Sequence, residues 1–234
     1  MHHIIVIDKK ISIIVPVLNE SEIINQFLAD IKNIRNCEDC EIIVVDGDEN
    51  RGTINNMNDA NVITLVSKKG RSSQMNAGAS IAKGQILLFV HADTSIPKDA
   101  LNIIYGTLVG SKYVGGAFKL GFNTKNILLK FIAFTANIRT KITRIPYGDQ
   151  AIFILKKYFD NIGGFKDIPL MEDMELIKRI KKLGGKICIL EKEVITSPRR
   201  WYKNGIIFNT LRNHVLRILY SLGISAKTLE KIYK

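Results

Sequence analysis

Ile86-Leu87-Leu88-Phe89-Val90-His91-Ala92-Asp93-Thr94 is a run of five apolar residues that ends abruptly in a polar cluster. Such a run predicts a strand that is buried on both faces of a sheet. Asp93 then lies where the strand leaves the core, at the edge where open α/β sheets bind ligands. The residues alone allow two interpretations of Asp93: a ligand for a divalent cation that also binds phosphate, or a cap for a helix beginning near Pro97.

Three shorter apolar runs precede this strand at Ile11–Val15, Ile42–Val45 and Val62–Val66. We expect Pro16 to end the first of them, because proline cannot continue a central ladder. Apolar or small residues at helical spacing predict helices between the strands, at Glu22–Ile34, Ser72–Ala82 and Pro97–Leu108. This alternation predicts an α/β fold with a mostly parallel central sheet and helices on both of its faces.

The second half of the chain is less regular but continues the same kinds of element. Its predicted strands and helices are, in order, Val114–Leu120, Asn126–Ile138, Ala151–Leu155, Glu172–Leu183, Ile187–Leu190 and Lys203–Leu222. No linker or repeat separates them, so we expect a single domain over residues 1–234. Within it we distinguish a first half at 11–110, a second half at 111–200, and basic amphipathic helices at 201–234.

The net charge of the 234 residues is +12, and it is concentrated in two segments. Residues 118–159 and residues 199–234 each carry eight Lys and Arg side chains against one acidic residue, a net charge of +7 each. This distribution indicates either an anionic partner, such as phosphate or an anionic membrane surface, or solvated helix faces. Three cysteines do not make a disulfide framework, so we expect a reducing compartment such as the cytoplasm. Within the cytoplasm, a peripheral position at the inner face of the membrane is the alternative location.

Right-handed crossovers place the carboxyl ends of parallel strands along one edge of the sheet. We therefore expect Pro16–Glu20, Asp46, Lys68–Arg71 and Asp93 to lie together along that edge. Carboxylates for a cation and a ribose, with basic groups near a helix N-terminus, suit a nucleoside diphosphate. The chain contains neither G-x-x-x-x-G-K-[ST] nor G-x-G-x-x-G, which argues against a P-loop kinase and a nicotinamide dehydrogenase.

A second pair of carboxylates, Glu172 and Asp173, opens a predicted helix. Two interpretations remain open from the residues alone. The pair could simply complement the positive end of the helix dipole, or one carboxylate could act as a general base toward an acceptor hydroxyl.

Taken in order, these motifs resemble an inverting glycosyltransferase of family 2 with the GT-A fold. The residues that carry the resemblance are Ile13–Glu20, Ile43–Gly47, Gly70–Arg71 with Gln74–Gly78, His91–Thr94, Pro146–Gln150, Gly163–Phe165, Met171–Leu176 and Ser197–Trp201. The G-R-x-x-Q-M-N-A-G, H-A-D-T, P-Y-G-D-Q and S-x-R-R-W versions are similar to a bacterial subgroup called radical-SAM/selenodomain-associated transferases.

The resemblance implies that residues 11–110 are the nucleotide-sugar-binding half and residues 111–200 the acceptor half. It also implies a role for each matching residue. The residues implied to wall the base and ribose site are Pro16, Val17, Leu18 and Glu20, while Asp46 is implied to bind the base and Arg71 to lie near the diphosphate. Asp93 matches the last acidic residue of the family's D-x-D motif and is implied to bind Mn or Mg. Asp173 is the implied base, with Glu172 beside it. The residues implied to flank the diphosphate and acceptor are Asp149, Gln150, Arg199, Arg200 and Trp201.

The chain departs from the family pattern at two places, and both concern the donor site. His91 stands where many members have the first Asp of D-x-D, so the metal site is either weaker or uses a histidine nitrogen. Glu49 and Arg51 replace the usual Ser and Asp of the loop after Asp46.

We therefore expect a metal-assisted transfer of a sugar from a UDP- or GDP-linked donor to an acceptor hydroxyl, with inversion. The alternative is a peripheral membrane or nucleotide-sugar-binding protein with weak or lost transferase activity, in which the anionic membrane or a lipid phosphate is the partner. A nucleic-acid partner is not expected, because the chain has no aromatic stacking run or recognised reader motif.

Overall fold

The computed structural model describes residues 11–233, and the strands in this part of the chain form one sheet. Their bounds are β1 Ile11–Val17, β2 Cys40–Asp46, β3 Ile63–Val66, β4 Ile86–Phe89, β5 Thr94–Ser95, β6 Tyr113–Phe122, β7 Phe153–Leu155 and β8 Lys186–Thr196. The order across the sheet is β3-β2-β1-β4-β7-β6-β8-β5. The first four strands pair in parallel, as do β6 and β8, whereas β7 is antiparallel to both β4 and β6, and β5 is antiparallel to β8. The predicted α/β fold with a mostly parallel central sheet is confirmed, and the antiparallel pairs of β7 and β5 make the sheet mixed.

Helices cover both faces of this sheet. Their bounds are α1 Ile24–Lys32, α2 Arg71–Ile81, α3 Ala100–Leu108, α4 Ile127–Thr143, α5 Lys156–Asn161, α6 Glu172–Lys182, α7 Arg199–Asn204, α8 Ile206–Ser221 and α9 Ala226–Tyr233. Short 3-10 turns lie at Cys37–Asp39, Ile54–Asn56 and Gly148–Gln150. Among residues 11–233, none of the helices has both the length and the apolar character that a membrane crossing needs.

Successive side chains of a strand point to opposite faces of the sheet, so the core has two layers, one on each face. In β1, Ile13 and Val15 face one layer together with apolar residues of α1 and α3. Ile14 faces the opposite layer, where α2, α5 and α6 supply Met75, Phe159 and other apolar side chains. The strands are apolar on both faces because both faces are covered by helices. The carboxyl ends of β1, β2 and β4 consequently lie at one edge, which is where the sequence predicted a ligand.

Pro16 does not end β1, which corrects one expectation from the sequence. The strand continues to Val17, and Pro16 pairs in register with Val45 of β2. On the other side of β1, the last bond from β4 runs from the Val90 N–H to the Ile14 carbonyl. Peptide groups two residues apart point to the same side of a strand, so Pro16 lacks its N–H on the side where β4 has already ended.

The basic C-terminal segment also differs from its prediction. A single helix was expected over Lys203–Leu222, but Gly205 separates α7 from α8 with a φ of 82°. This left-handed conformation is natural for glycine after a helix end, and it redirects the chain. A further helix, α9, follows, and Leu216 and Leu229 are buried in this region.

Candidate active site

A cavity of about 1020 Å³ opens at the carboxyl ends of β1 and β4 and extends between α4 and α8. Most of the predicted site residues line it: Pro16, Val17, Leu18, Glu20, Arg71, His91, Asp93, Asp149, Gln150, Glu172, Asp173, Arg200 and Trp201. Its volume is at the upper end of the range for sites that bind small molecules. The predicted edge of the sheet is therefore a cavity in which the donor-side and acceptor-side motifs meet.

Asp46 is a predicted site residue that does not line the cavity. Its side chain is fully buried and absent from the cavity wall. One carboxylate oxygen accepts the Asp48 N–H at 3.0 Å, and the other accepts the N–H groups of Thr53 and Ile54 at 3.0 and 3.3 Å. In this structure the carboxylate orders the loop that follows β2, and its contact with a base stays a prediction.

Arg199 also lies outside the cavity wall, yet it connects two of the acidic residues that line the cavity. Its Nη2 is 2.5 and 2.6 Å from the two carboxylate oxygens of Glu20 and 3.6 Å from Asp93 Oδ2. The Glu20 carboxylate raises the pKa of the Arg199 guanidinium, so this arginine stays charged. One cation therefore pairs with two carboxylates that face the cavity and offsets one of their two negative charges.

Residues 11–233 contain no cluster of three or more His, Cys, Asp or Glu side chains that could enclose a metal ion. Proteins also hold Mg²⁺ with one or two carboxylates, while substrate phosphates and water complete the coordination. Asp93 fits this second mode, because its carboxylate lines the cavity and already attracts the Arg199 cation. Burial, with Arg71 and Arg200 nearby, lowers the pKa of His91 well below its usual value. His91 is therefore neutral, which is the form that coordinates metals.

Helix α6 begins with the acidic pair that the sequence singled out. The Asp173 Oδ2 accepts the Gly148 N–H at 2.6 Å, and its Oδ1 accepts the Met174 N–H at 2.6 Å. Burial raises the pKa of Asp173, and these two backbone hydrogen bonds oppose the shift because they favour the charged form. Glu172 lies beside it, 4.0 Å from Arg71 Nη1, and its pKa is raised by burial and by Asp173. The two backbone hydrogen bonds therefore orient the Asp173 carboxylate and favour its charged form.

A third carboxylate, Asp149, stands near this pair. Burial and the neighbouring Asp173 raise its pKa to about 6, against the opposing effect of Arg139. Its Oδ1 is buried and has no hydrogen-bond partner among the described residues. Gly148 lies between these groups, since a Cβ added there would be 3.2 Å from His91 Nε2 and 3.6 Å from Asp173 Oδ2. The Pro146–Gln150 motif therefore brings Asp149 and Asp173 next to His91, in the segment that follows β4.

Gln150 and Trp201 line the cavity mainly as structural elements. The Gln150 Oε1 accepts the Thr140 hydroxyl and the Tyr147 N–H, and its amide nitrogen donates to the Phe118 carbonyl at 2.9 Å. Trp201 packs edge-on against Phe122, with 4.8 Å between ring centroids. Both side chains help to hold this part of the cavity in shape.

The sequence did not single out the basic groups on the acceptor side. The Arg139 guanidinium stacks 3.7 Å from the centroid of the Tyr147 ring, and Arg217 lies 5.2 Å from the same centroid. All three residues line the cavity. Tyr147 belongs to a recognised motif, but Arg139 lies just beyond the predicted end of its helix and Arg217 is one basic residue among many. The only sequence signal that could have placed Arg139 and Arg217 at the cavity was their helical spacing from inward-facing residues.

Comparison with known proteins adds independent evidence. The family described as Glycosyl transferase family 2 matches residues 12–166, more than half of the chain. The probable glycosyltransferase YdaM of Bacillus subtilis (strain 168) is 28% identical over 204 residues, covering 75% of this chain and 47% of that protein. The chain therefore spans about half the length of this curated relative.

Solved structures share the fold at lower identity. The mannosyltransferase PcManGT from Pyrobaculum calidifontis, in complex with GDP-Man and Mn²⁺, matches with a TM-score of 0.70 at 20% identity over 91% of this chain and 63% of that one. TarS 1-349 of S. aureus matches with a TM-score of 0.61 at 20% identity, over 90% of this chain and 65% of that one. These likenesses confirm the predicted GT-A architecture, and with the family match they show that the chain belongs to glycosyl transferase family 2.

Proposed function

We propose that this chain transfers a sugar from a nucleoside-diphosphate sugar to an acceptor hydroxyl with inversion at the anomeric carbon. The observation that carries the proposal is the Asp173 carboxylate, which two backbone N–H groups hold at the wall of the cavity. The nucleotide side of the same cavity begins at Arg71 and Asp93. An oriented carboxylate between a donor site and an acceptor space is what a general base requires.

The chemistry follows from these positions. Asp173 takes the proton of the acceptor hydroxyl as its oxygen forms a bond to the anomeric carbon. The bond between that carbon and the diphosphate oxygen breaks, and its electron pair leaves with the nucleoside diphosphate. Attack from the face opposite the leaving group inverts the configuration. Arg71, at the N-terminus of α2, stabilises the negative charge that develops on the diphosphate.

A divalent cation, Mn or Mg, fits this site with Asp93 as its carboxylate ligand and His91 as a second candidate. When bound, it would supply further positive charge to the departing diphosphate. The complex of PcManGT with GDP-Man and Mn²⁺ supports a nucleotide-sugar and metal pairing for this fold. Glu20 and Asp93 must exchange Arg199 for other partners to accept a ligand, which favours a coupled binding of nucleotide and cation.

A protein that binds nucleotide sugars without transferring them is the second candidate function. His91 favours it, because it stands where many family members have the first acid of D-x-D, and a weaker metal site would stabilise the departing diphosphate less. The two functions differ in turnover and share the donor site.

Thermal unfolding in the presence of UDP, GDP, CMP and their sugar conjugates, each with and without Mn²⁺, tests the donor site. We expect one nucleoside diphosphate to raise the melting temperature, and Mn²⁺ to increase that rise. Asp93→Asn should remove the Mn²⁺-dependent part, whereas Asp99→Asn, the same change at an acid paired with Lys192 instead, should not. A chain that no nucleotide stabilises under either condition would contradict both candidate functions.

A further inference from the structure

Helices α4 and α8 expose an unusual share of the apolar surface of this molecule. Twelve of the eighteen large hydrophobic side chains that are exposed among the described residues lie on α4, on α8 or at the end of α8. They are Ile127, Leu128, Phe131, Phe134, Ile138, Ile142, Ile207, Phe208, Leu211, Val215, Ile218 and Leu222. We call this set the α4–α8 face.

The spacing within each helix makes the exposed residues a continuous stripe. On α4, Phe131, Phe134 and Ile138 follow one another at intervals of three and four residues, and on α8 the same intervals separate Leu211, Val215 and Ile218. Phe134 and Phe208 are 60% and 62% exposed, so the stripes face the solvent and not the core. The inward sides of the two helices are occupied separately, by Leu129 and Leu216.

Basic residues accompany the stripes. Lys130 lies four residues before Phe134, and Lys141 lies three residues after Ile138, so helical geometry places both along one edge of the α4 stripe. Both lysines are exposed. The two helices belong to the two segments that each carry a net charge of +7. An apolar stripe bordered by cationic side chains is the pattern of helices that lie at the surface of an anionic bilayer.

The candidate active site opens beside this face. Thr135 and Arg139 of α4 and His214 and Ile218 of α8 line the cavity, and they adjoin the two stripes. The part of the cavity between the helices has a mixed lining, in which Ile132, Ala136 and Leu216 lie among polar side chains of both helices. A surface against the α4–α8 face would therefore meet the acceptor side of the cavity.

We propose that the α4–α8 face docks on an anionic lipid bilayer. The charge of the face favours a membrane as its partner over a second copy of this chain, because two copies would bring segments of net charge +7 against each other. Phosphate headgroups instead complement Lys130 and Lys141, while the exposed side chains of the stripes enter the region below the headgroups. Resting on the proposed function, this docking implies that the acceptor carries a lipid tail and reaches Asp173 from the bilayer.

Co-sedimentation of the full chain with vesicles tests the docking. Vesicles of equal parts phosphatidylcholine and phosphatidylglycerol should bind the chain, and pure phosphatidylcholine vesicles should bind it much less. Phe134→Ser with Phe208→Ser should lower the partition coefficient about tenfold or more, because two large apolar side chains no longer enter the bilayer. Ile81→Ser with Leu183→Ser, which replaces exposed apolar residues outside the face, is the matched control and should bind as the wild type does.

Substitutions of basic residues test the electrostatic contribution to membrane binding. Lys130→Gln with Lys141→Gln should lower binding to the anionic vesicles about fivefold for each lysine and leave binding to neutral vesicles unchanged. The exposed pair Lys83→Gln with Lys157→Gln keeps the same net charge as this variant but lies outside the face. Equal loss from both lysine pairs would point to net charge alone and would overturn a specific docking face.

Two other results would also overturn the proposal. One is the absence of binding to anionic vesicles. The other is a stable dimer in sedimentation velocity that the Phe134 and Phe208 substitutions abolish, since a second copy would then cover the face. Nucleotide-dependent thermal shifts involve no vesicles, so a failure of the docking and a failure of the proposed transfer are read from different experiments.

Discussion

The Asp173 carboxylate is constrained at both of its oxygens. Its two oxygens accept backbone N–H groups from two different segments, Gly148 before β7 and Met174 in α6. Each oxygen keeps a further lone pair that can meet an acceptor hydroxyl. A short side chain held in this way loses little entropy when a substrate binds, which suits a base that must act in one geometry.

Asp173→Asn should reduce the transfer rate about 100- to 10,000-fold, because the amide cannot take the proton of the acceptor. The nucleotide-dependent rise in melting temperature should survive, since the donor contacts begin at other residues. Steady-state transfer kinetics and thermal unfolding measure the two effects. Asp167→Asn, an exposed acid paired with Lys68, is the control and should transfer normally. Wild-type turnover by Asp173→Asn would show that another group is the base.

Asp149 should make the stability of the chain depend on pH. Burial and Asp173 raise its pKa from 3.8 to about 6, so the folded state binds a proton that the unfolded state has released. The free energy of unfolding should therefore fall as the pH rises from about 4 to about 6, and this contribution should be constant above that range.

Asp149→Asn removes this titration. Denaturant unfolding at several pH values should show wild type losing about 3 kcal/mol relative to the variant between pH 4 and pH 7. A difference between the two proteins that stays constant over this range would contradict the assigned titration.

At the scale of elements, the packing of α2 on the sheet positions the donor side of the cavity. Gln74 of α2 donates to the Val17 and Val45 carbonyls at 2.7 and 2.8 Å, so it joins the ends of β1 and β2. One helical turn later, Gly78 lies against β1, where an added Cβ would be 2.6 Å from Ile14 Cγ2. Close packing at Gly78 therefore sets how near Arg71, at the start of the helix, comes to the strand ends.

Gly78→Ala should destabilise the chain by about 1 to 3 kcal/mol, because its methyl group would overlap a buried side chain of β1. Gly106→Ala in α3 is the matched control: it is the same change within a helix, and nothing lies within 4 Å of the added Cβ. That variant should instead gain up to about 1 kcal/mol from helix propensity. Chemical denaturation measures both. Opposite signs are expected, and equal effects would contradict the close approach of α2 to β1.

At the scale of the whole molecule, repulsion between basic segments opposes the contacts that hold those segments together. The two segments of net charge +7 supply both α4 and the C-terminal helices, which pack together at the end of β6 around Leu120 and Phe122. The C-terminal segment is also tied to the start of the chain, because Arg199 binds Glu20 across 179 positions of sequence. Apolar packing thus holds the two like-charged segments close to each other, and the Arg199 ion pair ties one of them to the loop after β1.

Screening should consequently stabilise the folded chain. We expect the melting temperature to rise as sodium chloride increases from near zero to about 0.15 M, where the Debye length falls to about 8 Å. The Lys130→Gln with Lys141→Gln variant should show a smaller rise, because it removes two charges from one of the segments. Thermal unfolding across a salt series measures both. A melting temperature that falls with salt would mean that attractive pairs such as Arg199 with Glu20 dominate.

The sequence by itself determined the α/β class, the positions of most strands and helices, and the membership in glycosyl transferase family 2. Short apolar runs, helical spacing and the order of the motifs are local properties, and they specify elements and the edge at which strand ends meet. For that reason the acidic pair at Glu172 was placed correctly at the start of a helix, and Asp93 was placed correctly just after a buried strand.

Only the tertiary structure decided which partner each polar group takes and which apolar face stays uncovered. Asp46 bonds to its own loop, Arg199 joins Glu20 to Asp93, and Arg139 stacks on Tyr147. The same apolar spacing that predicts a buried helix face occurs on α4 and α8, where it faces outward. Hydrogen bonds, ion pairs and burial depend on distances between segments far apart in the chain, and the pattern within any one segment does not contain those distances.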